Sequence, residues 1–236
     1  MKKIFCLGFG SRQINFLNKK SCLKVKRFIK KNSIIYFLSF NKIQKKSSIK
    51  DFYKNITLIK NFIESLKTKP KKIIFFSSQV VYGEDTNNNN TTERTIPDPL
   101  SFYSIAKYTS ERLLMNFCIN KKISFIIIRI PRVYGVNDNF NNYGPTMFSS
   151  KVKKNETIEV WGDGKEKRDY IFINDLNKIL LKLSNKNFTG VLNVCSGKSI
   201  SFIGIIKLLE KIYKKKIKII SKKRSRKKVN HIMNNK

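Results

Sequence analysis

The sequence predicts an α/β protein built on a doubly wound parallel sheet. Short β-branched and aromatic runs alternate with longer amphipathic stretches, the rhythm of strands joined by crossover helices. Two of those runs, residues 33–40 and 123–130, are apolar almost throughout, as strands covered on both faces must be. The 236 residues, 41% of them hydrophobic, suffice for one large domain or a domain with a smaller appendage around a real core.

Taken in order, residues 4–7 form the first strand, ending at Gly8-Phe9-Gly10. The start superficially resembles a secretory leader, but its apolar stretch stops at glycines and Arg12, so it reads as a strand. Residues 11–20 are expected to be helical with Ile14, Phe16 and Leu17 inward, and residues 33–40 form an apolar strand. Over 51–66, Ile56, Ile59, Phe62, Ile63 and Leu66 recur at helical spacing. Pro70 precedes a strand over 72–78. A polar loop follows, with four consecutive asparagines at 87–90 and the turn Pro97-Asp98-Pro99. Residues 101–121 are helical, with Leu113, Leu114 and Phe117 on the apolar side, and 123–130 is a buried strand. After Pro131 the rhythm loosens. Helices are expected over 143–154, 174–184 (capped near Asn174 or Asp175) and 202–213, and strands over 157–160, 169–173 and 191–195. There is no internal repeat.

Fifty basic and fifteen acidic residues give a formal charge of +35, which attracts polyanions, nucleic acid included, without specificity. Lys, Asn, Ile and Phe are also the residues of AT-rich codons. The lysines are spread over nearly every segment instead of forming one stripe, which favours compositional drift over a dedicated nucleic-acid surface. The densest cluster, Lys222-Lys223-Arg224-Ser225-Arg226-Lys227-Lys228, reads either as a phosphate-binding tail or as a solvated end. No apolar run approaches the roughly 18 residues needed to cross a bilayer. Cys6, Cys22, Cys118 and Cys195 are scattered without metal or redox spacing. Cys6 and Cys195 read as core thiols, pointing to a reducing, cytoplasmic setting. His231 is the only histidine, which argues against a histidine-based metal site or hydrolase triad.

The chemistry concentrates in two segments, Phe75-Phe76-Ser77-Ser78-Gln79 and Tyr103-Ser104-Ile105-Ala106-Lys107. Tyr103 and Lys107, four positions apart, share one helix face. Ser78, just past a short apolar strand, can reach that face. A free tyrosine titrates near 10 and is a poor base at neutral pH. A lysine ammonium one turn away and the positive ring of a redox cofactor both favour the phenolate, and lowering the pKa to roughly 7 needs about 4 kcal/mol of differential stabilisation. The Gly8-Phe9-Gly10 turn, between first strand and first helix, suits close approach of a pyrophosphate, although Gln13 stands where a third glycine is expected.

With these segments in view, the chain resembles the extended short-chain dehydrogenase/reductases, in particular the NAD-dependent epimerase/dehydratase family acting on nucleotide sugars. The resemblance rests on five pieces in the family's order. Phe76-Ser77-Ser78-Gln79-Val80-Val81-Tyr82-Gly83 comes first. Tyr103-Ser104-Ile105-Ala106-Lys107 with Glu111 trailing is second, and Arg129-Ile130-Pro131-Arg132-Val133-Tyr134-Gly135 third. The fourth runs from Trp161-Gly162-Asp163-Gly164 to Arg168-Asp169-Tyr170 and on to Asn174-Asp175-Leu176, and the fifth is Gly190-Val191-Leu192-Asn193-Val194.

The resemblance implies a Rossmann-like dinucleotide-binding domain over 1–135, abbreviated at its N-terminal side. A smaller α/β substrate-binding region would occupy 136–236, with 174–195 returning to pack on the first sheet and 221–236 a basic tail. It implies Ser78, Tyr103 and Lys107 as catalytic residues. Gly8, Gly10, Tyr103, Lys107 and Pro131 would contact NAD (or NADP), and Ser78 and Arg168 the nucleotide-sugar substrate. It also implies homodimer pairing through the helices near 51–66 and 101–121. Gln79 and Val80 replace the acidic pair that dehydratases usually carry, which argues against a 4,6-dehydratase. The second strand, with the acidic residue that binds the adenosine ribose, is not recognisable. Epimerase and reductase use the same residues and stay open here. So do the alternatives of a Rossmann-scaffold RNA-associated protein and a catalytically decayed member.

Overall fold

The computed structural model describes the backbone of residues 4–7 and residues 14–41, 48–84, 88–136, 144–224 and 228–235, the side chains of 88 and 89 excepted. The chain divides into two compact units. The first comprises Met1–Glu84, Ile96–Arg129 and Leu181–Leu192; the second comprises Asp85–Thr95, Ile130–Leu180 and Asn193–Lys236. The sequence reading drew its division after residue 135; here the second unit takes up the chain from Ile130 and also includes residues 85–95.

The first unit is a Rossmann-like sheet with the strand order β1 (Ile4–Leu7), β2 (Ile34–Phe37), β3 (Lys72–Phe76), β5 (Ser124–Arg129), β9 (Gly190–Asn193). β1 pairs with β2, β2 with β3 and β3 with β5, all in parallel. Among the described residues the sheet grows to one side of β1 only. Every residue of β2 and β3 is buried, as their apolar sequences require. Ile35, Phe37, Ile73, Phe75, Phe125 and Ile127 project to one face. There they meet Leu58, Ile59 and Phe62 of α3 (Ile49–Ser65), and Leu114 and Cys118 of α4 (Phe102–Asn120). On the other parity, Lys72 donates from Nζ to the Leu183 carbonyl (3.0 Å) and to that of Lys186, closing the end of α6 (Ile173–Asn185).

Three details depart from the sequence reading. Where a helix over 11–20 was expected, the described part begins with a loop. Helix appears only as the short α1 (Lys19–Cys22) and α2 (Val25–Phe28), the former starting at Asn18, whose side chain accepts from the Ser21 amide at 3.2 Å. Ile14 and Phe16 are buried as expected, but Leu17 is exposed. In α4, Leu114 is fully buried whereas Leu113 faces solvent.

The second unit contains a sheet ordered β10 (Ser199–Ser201), β8 (Lys167–Phe172), β12 (His231–Met233), β4 (Asn88–Thr91). β6 (Arg132–Tyr134) also pairs with β8, and β11 (Ile219–Lys222) pairs with β7 (Ile158–Trp161). Its core joins Phe148 and Val152 of α5 (Pro145–Lys153), Ile158, Val160 and Tyr170 to Phe202, Ile205, Ile206 and Leu209 of α7 (Phe202–Tyr213). The turn between β7 and β8 needs its glycines. Gly162 and Gly164 have φ of +58° and +64°, and a Cβ on Gly164 would lie 2.7 Å from the Ile203 side chain. In the basic segment, Ser221 and Lys222 are exposed residues of β11, while Val229, His231 and Met233 further on are buried. No helix among the described residues is long and apolar enough to cross a membrane.

Candidate active site

Parallel strands present their carboxyl ends to ligands, and β3 ends immediately before Ser77-Ser78. Ser77 turns inward, donating from Oγ to Glu111 Oε1. Ser78 is the cap of a 3-10 turn over Gln79–Tyr82, its Oγ accepting from the Val80 amide at 3.4 Å. The loop that follows is tied back to this turn, since the Asp98 amide donates to the Val81 carbonyl at 3.0 Å. Glu84 accepts from the Leu100 amide (3.1 Å) and from Ser101 Oγ. Ser101 caps α4 and forms a capping box with Ser104. These tethers fix the start of α4, and Tyr103 is its second residue.

One turn along, Lys107 is 5% exposed and donates from Nζ to the Phe76 carbonyl at 2.7 Å, binding α4 to the end of β3 two residues before Ser78. The ammonium lies 3.8 Å from the centroid of the Phe40 ring and 5.9 Å from that of Tyr103; the Phe40 and Tyr103 rings meet edge to face at 5.5 Å. A further turn along, Glu111 is wholly buried and accepts from Arg129 through Nε (3.1 Å) and Nη2 (2.7 Å). Arg129 in turn lies over the Tyr82 ring at 4.6 Å. Tyr103, Lys107 and Glu111 thus form a ladder at i, i+4 and i+8. Phe40 and the Glu111–Arg129 pair were not singled out from sequence, although the eight-residue spacing was there to be read.

Burial pushes the Tyr103 hydroxyl up to about 12. Burial also pushes Lys107 down to about 7 from 10.5, with the Glu111 carboxylate pulling the other way. The tyrosine is held as a phenol. Arg129 keeps its proton above the usual guanidinium range, because Glu111 outweighs the burial that opposes the charge.

Gly8 and Gly10 fall outside the described residues, and Pro131 and Arg168 belong to the second unit. Arg168 pairs with Glu166 and donates to the carbonyls of Lys167 (2.9 Å) and Val229, while Arg224 shares the same glutamate. Burial and the neighbouring Arg132 push Arg168 down to about 10. Its chain neighbour Asp169 is buried and accepts from the Ser196 amide (3.1 Å), Ser196 Oγ (2.7 Å) and the Gly197 amide (3.1 Å).

Residues 11–195 match the NAD dependent epimerase/dehydratase family. The chain belongs to that family. Among similar proteins is the GDP-6-deoxy-D-talose 4-dehydrogenase of Aggregatibacter actinomycetemcomitans, 31% identical over 58% of this chain and 46% of that protein. The chain spans about half the length of the curated relatives it matches. The UDP-glucose 4-epimerase of Thermotoga maritima, solved with UDP-glucose, superposes with a TM-score of 0.85 at 22% identity, covering 100% of this chain and 90% of that one, and shares its fold. The UDP-glucuronic acid 4-epimerase of Bacillus cereus, solved with UDP-glucuronic acid and NAD, superposes with a TM-score of 0.79 at 25% identity, covering 94% of this chain and 71% of that one.

The groups of this family member fit a nicotinamide riboside. A buried ammonium has one proton committed to the Phe76 carbonyl, and a phenol stands a turn away against an aromatic ring, all beside the carboxyl end of a parallel strand.

Proposed function

We propose that the chain is an NAD-dependent nucleotide-sugar epimerase or reductase working at a ring carbinol, position 4 in the relatives named above. One observation carries the reading: Lys107, one turn from Tyr103, is bound to the end of β3 two residues before Ser78. A bound nicotinamide dinucleotide supplies the hydride acceptor and donor. Ser78 orients the sugar oxygen by hydrogen bonding. Tyr103, stored as a phenol, gives its proton to that oxygen when the carbonyl is reduced and takes it back when the carbinol is oxidised. Lys107 holds the ribose hydroxyls and, when charged, favours the phenolate. Gly8, Gly10 and Pro131 contact the cofactor, and Arg168 serves the diphosphate, for which a guanidinium fork is suited. A neutral Gln79 beside Ser78 supports epimerisation or reduction over water elimination, which needs an acid there.

The test is a melting-shift series with NAD, NADP and UDP-, GDP- and dTDP-linked hexoses. The expected result is stabilisation by one dinucleotide and by one nucleotide class, with the sugar turned over. Turnover with no net nicotinamide consumed identifies an epimerase, and stoichiometric consumption a reductase. No shift with either dinucleotide would overturn the proposal.

A further inference from the structure

Gln79 is the first residue past Ser78, at the carboxyl end of β3. Its side chain is 7% exposed, and its Oε1 is buried without a hydrogen-bond partner among the described residues. A buried carbonyl left unpaired keeps its full desolvation cost, so native chains rarely hold one without a use. The surroundings do not relieve it. Ser77 is committed to Glu111, Ser78 Oγ accepts from the Val80 amide, and Lys107 Nζ is directed at the Phe76 carbonyl. Val81 and Tyr82, on the same turn, are buried. Among the described residues the strand end therefore carries an acceptor with no donor, one residue from the hydroxyl expected to orient the substrate.

We propose that Gln79 determines substrate choice, its side-chain carbonyl accepting a hydrogen bond from a donor group on the sugar next to the reacting carbon. This rests on the nucleotide-sugar reading above and deepens it. The donor is a ring hydroxyl or an acylamino N–H, the two sugar substituents that bring a proton to such an acceptor. A sugar lacking a donor at that carbon leaves Oε1 buried and unpaired, and is rejected for that reason. The amide carries no titratable proton, so it recognises the neighbouring substituent without helping to expel it.

The experiment compares wild type with Gln79→Met, which keeps length and apolar volume but removes the acceptor. Both are assayed on nucleotide-linked hexoses carrying a hydroxyl, an acetamido group or hydrogen at the carbon flanking the reacting one. Wild type is expected to prefer a donor-bearing sugar by about ten- to a hundredfold in kcat/KM. The methionine variant is expected to lose that preference while its melting shift with NAD is unchanged. The hydroxyl and acetamido arms identify which donor is read. Wild-type discrimination retained in Gln79→Met would overturn the inference and leave the enzymatic reading intact. Absence of activity on every nucleotide sugar in the wild type would overturn both. Should Gln79→Met fail to fold, Gln79→Asn withdraws the carbonyl by one methylene, and unaltered preference in that variant is equally fatal.

Discussion

Glu111 and Arg129 form a two-pronged ion pair with side-chain exposures of 0% and 5%, and Ser77 adds a third donor to the same carboxylate. The pair joins α4 to the end of β5, and through Ser77 to the end of β3. Removing one partner leaves the other charged and buried, which costs about 3–5 kcal/mol, whereas replacing both by apolar groups often costs little. Arg129→Met should therefore lower unfolding free energy by that amount in urea titrations. Glu111→Leu combined with Arg129→Met should recover most of it. A single-variant loss below about 1 kcal/mol would show that the pair is not desolvated as described.

Lys107 gives a pH dependence of definite sign. Its folded pKa is pushed down to about 7 by burial from an ordinary 10.5, so between these values the unfolded chain holds the extra proton. Stability contributed at this site therefore rises with pH across that window, with a limiting slope of about 1.4 kcal/mol per unit, and is flat below it. Comparing wild type with Lys107→Met isolates the effect. The variant should be the more stable of the two at pH 6, with the difference shrinking toward pH 10. A constant difference over that range would mean the ammonium is not disfavoured by its surroundings.

Much of this architecture was readable from apolar periodicity, and the misreadings have physical causes. Residues 202–213 showed their helix because Phe202, Ile205, Ile206 and Leu209 recur on one face and Ser201 caps it. α4 was harder to orient. Its inward face carries Ser104, Lys107, Ser110 and Glu111 along with Ala106, Leu114 and Cys118, so a count of apolar residues drew Leu113 inward. Those buried polar residues include two that make the candidate site, and function is what obscures the pattern. The segment at 11–20 misled because Asn15 and Asn18 turn the chain. The Asn15 side chain accepts from the Leu17 amide and that of Asn18 from the Ser21 amide, delaying the helix. In the C-terminal segment, Val229, His231 and Met233 alternate inward with period two, a strand signal hidden by the lysines before it.

Tyr103 supplies the test of the chemistry. With its hydroxyl pushed up to about 12 by burial, ultraviolet difference spectra of the ligand-free protein should show this phenol unionised through pH 10. Saturating NAD should move its ionisation downward, because on the proposed function a positive nicotinamide ring then stands beside it. Tyr103→Phe should cut turnover by roughly 10²–10⁴-fold, the usual worth of a positioned acid–base group, while NAD still raises the melting temperature. Full activity in the phenylalanine variant would assign proton transfer to another group.

The second unit can be tested through β12, which lies between β8 and β4 in its sheet. Met233 is 2% exposed there, and the Val229 carbonyl just before the strand accepts from Arg168. Met233→Ala should cost about 2–5 kcal/mol by leaving a cavity. Lys228→Ala, which removes only an exposed pair with Asp163, should change stability by less than about 1 kcal/mol. Limited proteolysis distinguishes the two variants. The alanine at 233 should open cleavage at the lysines around 222–228 under conditions where wild type and Lys228→Ala are cut slowly. Equal cleavage in all three would mean that β12 adds nothing to the sheet, and that the basic segment is the loose end its charge first suggested.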